Sequence, residues 1–421
     1  FRSALNITGT ASNPVSTTYR NQLSAVDVVG GSTTAASLTG GTVNITGTNS
    51  VVGGPSSTSN TNAAVKLEGK VNVTASSGPI SIAGSNAGGD GVWGSGSGAV
   101  TMSAPAASAI NINAQSLDAV SGYTGFYLGG TGTLTFATAA PVTITASSQA
   151  TARRALWNKG GLTTPGNLSI VTTGGSVQDD TTHGGFFHVG GTTSIASSGN
   201  GNAISLINSG NAFSGAVALS ASDTTLANGT ALSLGSSNLS GALNISAPGI
   251  TQTGAVAVVG ATTLNAGTSA ITLANTGNAL NTLAITQAAG VDVVNGGALT
   301  VTGLNASAGA KLTTMSGDLT AQGNWTIAGG DLTLSAGAAN ARGIATGGDV
   351  FSTAALTMDA GRIVTVYSGA LGSTLLGGTL GSRATAGSGN FRYNRQDGDA
   401  PGAPGVGDGS TYVMFRERPT V

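Results

Sequence analysis

The chain has 421 residues, with 15 basic and 16 acidic side chains, a net charge of -1 and no cysteine. Such sparse positive charge excludes an extended phosphate-binding surface, and the lack of cysteine excludes disulfides and thiolate metal sites. No run of about 18 apolar residues occurs, because Thr, Ser, Asn and Gly interrupt every one. The sequence therefore predicts neither a nucleic-acid partner nor a membrane-spanning segment.

Short stretches of alternating apolar and polar residues follow one another along the chain, and most end at Gly, Ser or Asn. Alternation with a period of two predicts half-buried β-strands. Sustained helical periodicity is nearly absent, so the fold class is all-β. The predicted inward-facing pairs include Val43 and Ile45, Val71 and Val73, Ile80 and Ile82, Val142 and Ile144, Leu243 and Ile245, and Leu299 and Val301.

Spacing and self-similarity favour a solenoid over a β-sandwich. The stretch "AISLINSGNAF" at 203–213 returns as "AITLANTGNAL" at 270–280. Two or three short strands per turn give coils of roughly 20–30 residues, the size of solenoid repeats. The prediction is a single parallel β-helix with protruding loops and a C-terminal segment outside the helix. The two copies further predict buried strand cores and equivalent turns at "SGNAF" and "TGNAL".

Composition divides the chain into three parts. Residues 1–200 form coils with longer, irregular interruptions, of which "GGPSSTSNTNA" at 53–63 and "GGDGVWGSGSG" at 88–98 are expected to be loops. Residues 201–380 form regular coils, with an internal repeat over 203–269 and 270–336. Residues 381–421 are richer in charge, Pro and aromatic side chains, which predicts a polar cap or a linker to a following module.

The densest polar cluster in the central part of the chain is the candidate site. Acids and bases in one groove would suit a polysaccharide lyase or hydrolase. However, adjacent residues on a strand point to opposite faces, which favours a solvated loop over a catalytic Asp pair. The cluster consists of Arg153, Arg154, Lys159, Asp179, Asp180 and His183, with His188 nearby.

Two groups of residues could be considered as metal sites, and each has a simpler interpretation. His183 and His188 would need a third ligand, which only the neighbouring Asp residues could supply. Asp397, Asp399 and Asp408 resemble a calcium loop loosely, but the closing Glu of that motif is missing. A turn-rich linker is the better interpretation of this segment. The sequence therefore predicts no catalytic, cofactor-binding or metal-binding residue, no cofactor, and no enzymatic activity.

The segment 209–267, which begins "SGNAFSGAVALSASDTTLANG", resembles the repeats of large bacterial exoproteins of the filamentous haemagglutinin type. The segment "AGRIVTVYSGALGSTLLGG" at 360–378 resembles the part of such exoproteins that closes the helix before small β-sandwich repeats begin. The resemblance implies a long right-handed β-helix exported through an outer-membrane secretion partner. Nothing in the chain resembles that family's N-terminal secretion domain.

The resulting expectation is a structural rod segment of a secreted or surface-attached bacterial exoprotein, acting as an adhesin, an extracellular fibre or a biofilm matrix component. Its expected partners are further copies of itself or glycans on host cells and surfaces. With roughly 15–19 coils spaced by about 4.8 Å, the rod would be on the order of 70–90 Å long. The alternative is a β-helix enzyme or tailspike that binds or cleaves polysaccharide.

Overall fold

The computed structural model describes residues 3–12, 24–51, 62–94, 96–119, 122–149, 154–199, 202–385, 390–400 and 411–418. The chain divides into two compact units, unit 1 (Phe1–Thr230) and unit 2 (Ala231–Val421). Each described unit is built almost entirely from short parallel strands. The described residues contain no helix that is long and apolar enough to cross a membrane.

Twenty-three strands make up the described part of unit 1. They are β1 (Leu5–Ala11), β2 (Val26–Val29), β3 (Ala36–Gly40), β4 (Val43–Asn49), β5 (Ala63–Glu68), β6 (Val71–Ala75), β7 (Ile80–Asn86), β8 (Asp90–Gly94), β9 (Ala99–Ser103), β10 (Ile110–Ser116), β11 (Phe126–Leu128), β12 (Thr133–Phe136), β13 (Val142–Ser148), β14 (Arg154–Asn158), β15 (Gly161–Thr164), β16 (Leu168–Thr173), β17 (Ser176–Asp179), β18 (Phe186–Val189), β19 (Thr193–Ser198), β20 (Ile204–Leu206), β21 (Ala212–Phe213), β22 (Val217–Ala221) and β23 (Thr224–Ala227).

These strands pair three apart along the chain, so unit 1 has three faces. Face 1 is β1-β4-β7-β10-β13-β16-β19-β22. Face 2 is β2-β5-β8-β11-β14-β17-β20-β23. Face 3 is β3-β6-β9-β12-β15-β18-β21. Each coil contributes one strand to each face, which is the arrangement of a parallel β-helix.

Unit 2 contains the remaining described strands and one short helix. They are β24 (Leu232–Leu234), β25 (Ser237–Leu239), β26 (Leu243–Ser246), β27 (Ile250–Gln252), β28 (Val256–Asn265), β29 (Ile271–Leu273), β30 (Ala279–Ala288), β31 (Val291–Asn295), β32 (Leu299–Ala306), β33 (Ala310–Thr314), β34 (Leu319–Ala321), β35 (Asn324–Ile327), β36 (Leu332–Ser335), β37 (Val350–Ser352), β38 (Ala355–Met358), β39 (Val364–Ser368), β40 (Leu375–Leu376), α1 (Gly378–Thr385), β41 (Phe391–Arg392) and β42 (Thr411–Phe415).

One continuous ladder of parallel strands, the long ladder, organises unit 2. It consists of β24-β27-β29-β31-β33-β36-β39-β42. The partners Ile250, Ile271, Val291 and Ala310 set a coil of roughly 20 residues, the lower end of solenoid repeat lengths. The other strands, including the long β28, β30 and β32, pair in parallel along the remaining sides.

The core of each unit is the stack of inward-facing side chains, and the prediction from alternation is confirmed. Among the predicted inward residues, Val43, Ile80, Val142, Leu243 and Leu299 are all buried, and so are their partners two residues later. In parallel stacking, like side chains lie on like, so branched aliphatic residues fill a narrow interior at high density. The all-β parallel β-helix predicted from the sequence is the observed fold.

Two segments differ from expectation. The stretch 88–98, expected to be a loop, contains β8, whose residues are all buried and which pairs with β5 and β11. Its glycines obscured the strand, but Val92 faces the core within it. The other expected loop, 53–63, lies mostly outside the described residues.

The C-terminal segment adds a strand to the stack of unit 2. Within 381–421, β42 pairs in parallel with β39, in register from Val364 with Thr411 to Ser368 with Phe415. Arg416 directly follows β42 and is buried, with only 1% of its surface exposed. The division of the chain at residue 381 stays a prediction.

Candidate functional site

Two members of the predicted polar cluster, Arg154 and Asp179, lie on strands of face 2 in unit 1. Lys159, Asp180 and His183 lie in the turns that follow these strands, and Arg153 lies outside the described residues. Asp179 ends β17 and is only 6% exposed. Its carboxylate accepts hydrogen bonds from Ile207 N at 2.8 Å, Asn208 N at 3.0 Å and Asn211 Nδ2 at 2.8 Å. Burial raises the pKa of Asp179, against the opposing effect of these bonds. A solvated loop was therefore the wrong interpretation for Asp179, which fastens one coil to the next.

Asp180, unlike Asp179, makes its hydrogen bonds within the turn that follows β17. Its carboxylate accepts from Thr182 N at 2.9 Å and lies 3.2 Å from His183 Nδ1. Burial acts to raise the pKa of Asp180, but the hydrogen bonds from His183 and Thr182 outweigh it and lower the pKa. Because one carboxylate is buried in coil contacts and the other organises a surface turn, the two Asp residues do not form an acid–base pair.

The two histidines also have separate partners. His188 Nε2 contacts Gly210 O at 3.0 Å, and its ring lies 4.2 Å from the ring of Phe186. His183 belongs instead to the Asp180 turn. Within the described ranges, no group of three or more His, Cys, Asp or Glu side chains is placed to hold a metal ion.

Arg154 and Lys159 join an aromatic stripe that the sequence reasoning missed. The aromatic stripe is Trp93, Tyr127 and Trp157, which are register partners on successive strands of face 2. The rings of Tyr127 and Trp157 are 5.3 Å apart and tilted by 35°. The three residues are separated by about one coil each along the chain, and that spacing was the signal available in the sequence.

Arg154 and Lys159 lie over the ring of Trp157. Arg154 Cζ is 3.8 Å from the centroid of Trp157, and Lys159 Nζ is 4.0 Å from the same centroid. Arg154 Nε also donates to Gln178 Oε1 at 2.6 Å. Cation–π contacts of this kind contribute about 0.5–2 kcal/mol each. The chain's own cations therefore cover the ring of Trp157. Through the bond from Arg154 to Gln178, the stripe also links neighbouring coils.

The Trp93 end of the aromatic stripe is packed closely. Lys66 Nζ lies 5.0 Å from the Trp93 ring and 2.5 Å from the carboxylate of Glu68. A Cβ on Gly129 would lie 2.8 Å from Trp93 Nε1, so only glycine permits the indole to lie this close to the backbone. Burial, with the nearby carboxylates as a smaller cause, raises the pKa of Tyr127 to about 12. This hydroxyl therefore stays protonated at neutral pH and offers no base.

Buried asparagines at the coil corners form the second repeated polar feature, the corner amides. They are Asn211 and Asn228 in unit 1 and Asn278 and Asn295 in unit 2, each at most 3% exposed. Phe213 N donates to Asn228 Oδ1 at 2.9 Å, and Leu280 N donates to Asn295 Oδ1 at 2.8 Å. The same bond thus recurs at the same positions of the two echoing segments.

The turns that precede these corners are also equivalent, as the sequence predicted. Gly210 N donates to Asn208 Oδ1 at 2.8 Å, and Gly277 N donates to Asn275 Oδ1 at 2.9 Å. The strand cores on either side are buried, including Ile204 in one copy and Ile271 in the other. The repeated phrase therefore encodes a turn followed by a corner amide.

Comparison with known proteins supports repetition. A family described as repeats of unknown function (DUF5649) matches residues 145–220 and 221–287, one repeat after the other. No curated protein and no solved structure matches the chain. The two copies of the echo fall in successive matches, so the chain is similar to a repeat family in this region. The boundaries 203–269 and 270–336 stay a prediction.

Proposed function

We propose that this structural repeat protein is a rod segment of a secreted or surface-attached bacterial exoprotein, of the adhesin, extracellular-fibre or matrix kind. The observation that carries the proposal is the use made of its buried polar side chains. Asn278 and Asp179 each form hydrogen bonds to backbone groups of neighbouring coils. A chain whose buried polar groups hold coils together is suited to extension and mechanical continuity.

The outer surface supports the same proposal. The outward row of face 1 contains register partners without charge: Asn6, Asn44, Ser81, Asn111 and Thr143. Asn44 Nδ2 donates to Asn6 Oδ1 at 2.8 Å, so the row itself bonds from coil to coil. A hydroxyl and amide surface stays hydrated without relying on charge, which suits a protein exposed to variable salt.

The proposal includes the partners and the location. We infer that the rod associates with further copies of itself or with surface glycans, and that an outer-membrane partner exports it. The similarity to exoprotein repeats and the uncharged outward row support this inference. Unpaired strand edges at the ends of a solenoid are a physical route to end-to-end association.

Negative-stain imaging of the purified chain tests the rod directly. The proposal predicts thin particles of uniform width on the order of 70–90 Å long, or fibres made from them. Compact particles without a long axis would contradict it. A dilution series separates single rods from assembled fibres, because association depends on concentration.

The proposal also states that the chain is not an enzyme. The competing function, cleavage of polysaccharide, is tested by incubating the chain with polygalacturonate and alginate and measuring new reducing ends. We expect no release above a heat-denatured control. Saturable release that is lost in Asp180→Asn, which changes a half-buried carboxylate in the turn after β17, would overturn the proposal.

A further inference from the structure

A groove of about 400 Å³ opens on the outside of the long ladder in unit 2. It crosses four coils, from β29 to β36. Its floor is made of small residues at equivalent positions of successive coils, including Ala270, Gly290 and Gly309. Because side chains are nearly absent there, the surface of the coil stack is concave at this point.

The rim of the groove is polar and charged. Thr272, Asp292, Lys311 and Thr333 are register partners in consecutive coils and form one side. Asp331 lies opposite, where its Oδ1 accepts a hydrogen bond from Ile363 N at 2.9 Å. This rim therefore offers two carboxylates, one ammonium and two hydroxyls within a few coils.

The carboxylate of Asp292 is incompletely satisfied. Its Oδ1 is buried and has no hydrogen-bond partner among the described residues. Lys311 is its register partner, yet none of the ion pairs among the described residues involves Lys311. A buried acceptor without a donor is destabilising. Because this oxygen is shielded from solvent, a ligand hydroxyl reaches it only when the Asp292 side chain turns toward the groove.

We propose that this groove binds a saccharide unit that carries hydroxyl groups but no acidic group. Sugar hydroxyls donate to the carboxylates of Asp292 and Asp331 and accept from Lys311. Two carboxylates against one ammonium leave the rim negative, so uronates and sulfated sugars are disfavoured. The volume is within the range of small-molecule sites, about 300–1,000 Å³. This inference rests on the proposed function, which includes surface glycans as partners, and it names their class and their site.

The glycines of unit 2 provide a matched pair of variants. A Cβ on Gly290, in the floor of the groove, meets nothing within 4 Å, so Gly290→Phe is chosen to place a ring in the groove. A Cβ on Gly297, outside the groove, is equally unobstructed, so Gly297→Phe is the control. Asp292→Asn removes the unsatisfied charge while keeping the shape of the side chain.

Isothermal titration of the full chain uses maltohexaose, cellohexaose and chitohexaose as neutral probes and hexagalacturonate as the acidic probe. We expect at least one neutral probe to bind saturably, and hexagalacturonate to bind at least about tenfold more weakly. Gly290→Phe should abolish binding, and Asp292→Asn should weaken it about tenfold or more. Gly297→Phe should bind like the unmodified chain.

Three results would overturn the proposal: no saturable binding of any neutral probe, preferential binding of hexagalacturonate, or unchanged binding in Gly290→Phe. Circular dichroism of each variant checks that the solenoid is intact. Rod particles in negative stain would remain visible after any of these results, so a failure here is distinct from a failure of the proposed function.

Discussion

Replacing Asn278 by Ala would remove the most fully bonded corner amide of unit 2. Asn278 is 1% exposed. Its Oδ1 accepts from Val256 N at 2.9 Å, and its Nδ2 donates to Leu273 O at 3.1 Å and to Val294 O at 2.9 Å. It also exchanges two hydrogen bonds with the side chain of Gln252. One side chain therefore connects three neighbouring coils.

The expected loss follows from the groups left behind. In Asn278→Ala, the N–H of Val256 and the carbonyls of Leu273 and Val294 lose a partner inside the protein. Each buried polar group without a partner costs about 1–3 kcal/mol, and partial relaxation or water entry reduces the sum. We therefore expect the free energy of unfolding to fall by about 3–5 kcal/mol.

Asn275→Ala is the matched control, because the same residue type changes in the same turn. The Asn275 side chain makes one local hydrogen bond, from Gly277 N at 2.9 Å. Its loss should cost about 1 kcal/mol or less. Urea unfolding followed by far-ultraviolet circular dichroism gives both free energies. Amide exchange at Val256 reports the local opening, since solenoid coils can open separately.

Equal destabilisation by the two substitutions would refute the reasoning. It would mean that the corner amide contributes no more than an ordinary surface turn. Unchanged exchange protection at Val256 in Asn278→Ala would also refute the reasoning, because the Val256 amide loses its hydrogen bond to Asn278.

The remaining predictions concern two buried charges. Burial raises the pKa of Asp90 to about 7, against a hydrogen bond from Thr124 N. The folded state therefore binds this proton more tightly than the unfolded state, and stability falls as pH rises from about 4 to 7. Asp90→Asn should lose less stability over that range and be about 2–4 kcal/mol more stable at pH 8; parallel pH curves would contradict this. Arg416 donates to Ala336 O and to Gly348 O at 2.8 Å. In Arg416→Met these buried carbonyls lose their donors at about 1–3 kcal/mol each, so stability should fall by about 2–5 kcal/mol. The surface Arg342→Met should leave the urea unfolding curve nearly unchanged, because exposed ion pairs contribute little.

The strands could be predicted because the two faces of a strand alternate within a few residues. Val43 and Ile45 face inward because apolar and polar residues alternate over the five residues 42–46. The pairing of coils is a long-range property. Ile110 pairs with Val142 in unit 1, whereas Val291 pairs with Ala310 in unit 2, so the coil length changes along the chain. A variable period hides which outward residues become neighbours.

The candidate site was harder to predict for the same reason. Trp93 and Trp157 have no local pattern in common, and their alignment on face 2 depends on two coil lengths. Asp179 was misjudged because aspartate is usually exposed, and only the coil that follows supplies its donors. Arg416 has no sequence signal for burial, since its carbonyl partners lie about 70 residues or more before it.

Deletion of two whole coils tests the central claim, that the chain is a rod built by stacking coils in parallel register. Removing 271–309 joins Ala270 to Ala310, which then meets Ile250 in the register that Ile271 had. Small-angle X-ray scattering should show a folded particle about 10 Å shorter, two strand spacings, with an unchanged cross-section. Loss of the folded state, or a changed cross-section at constant length, would contradict the account.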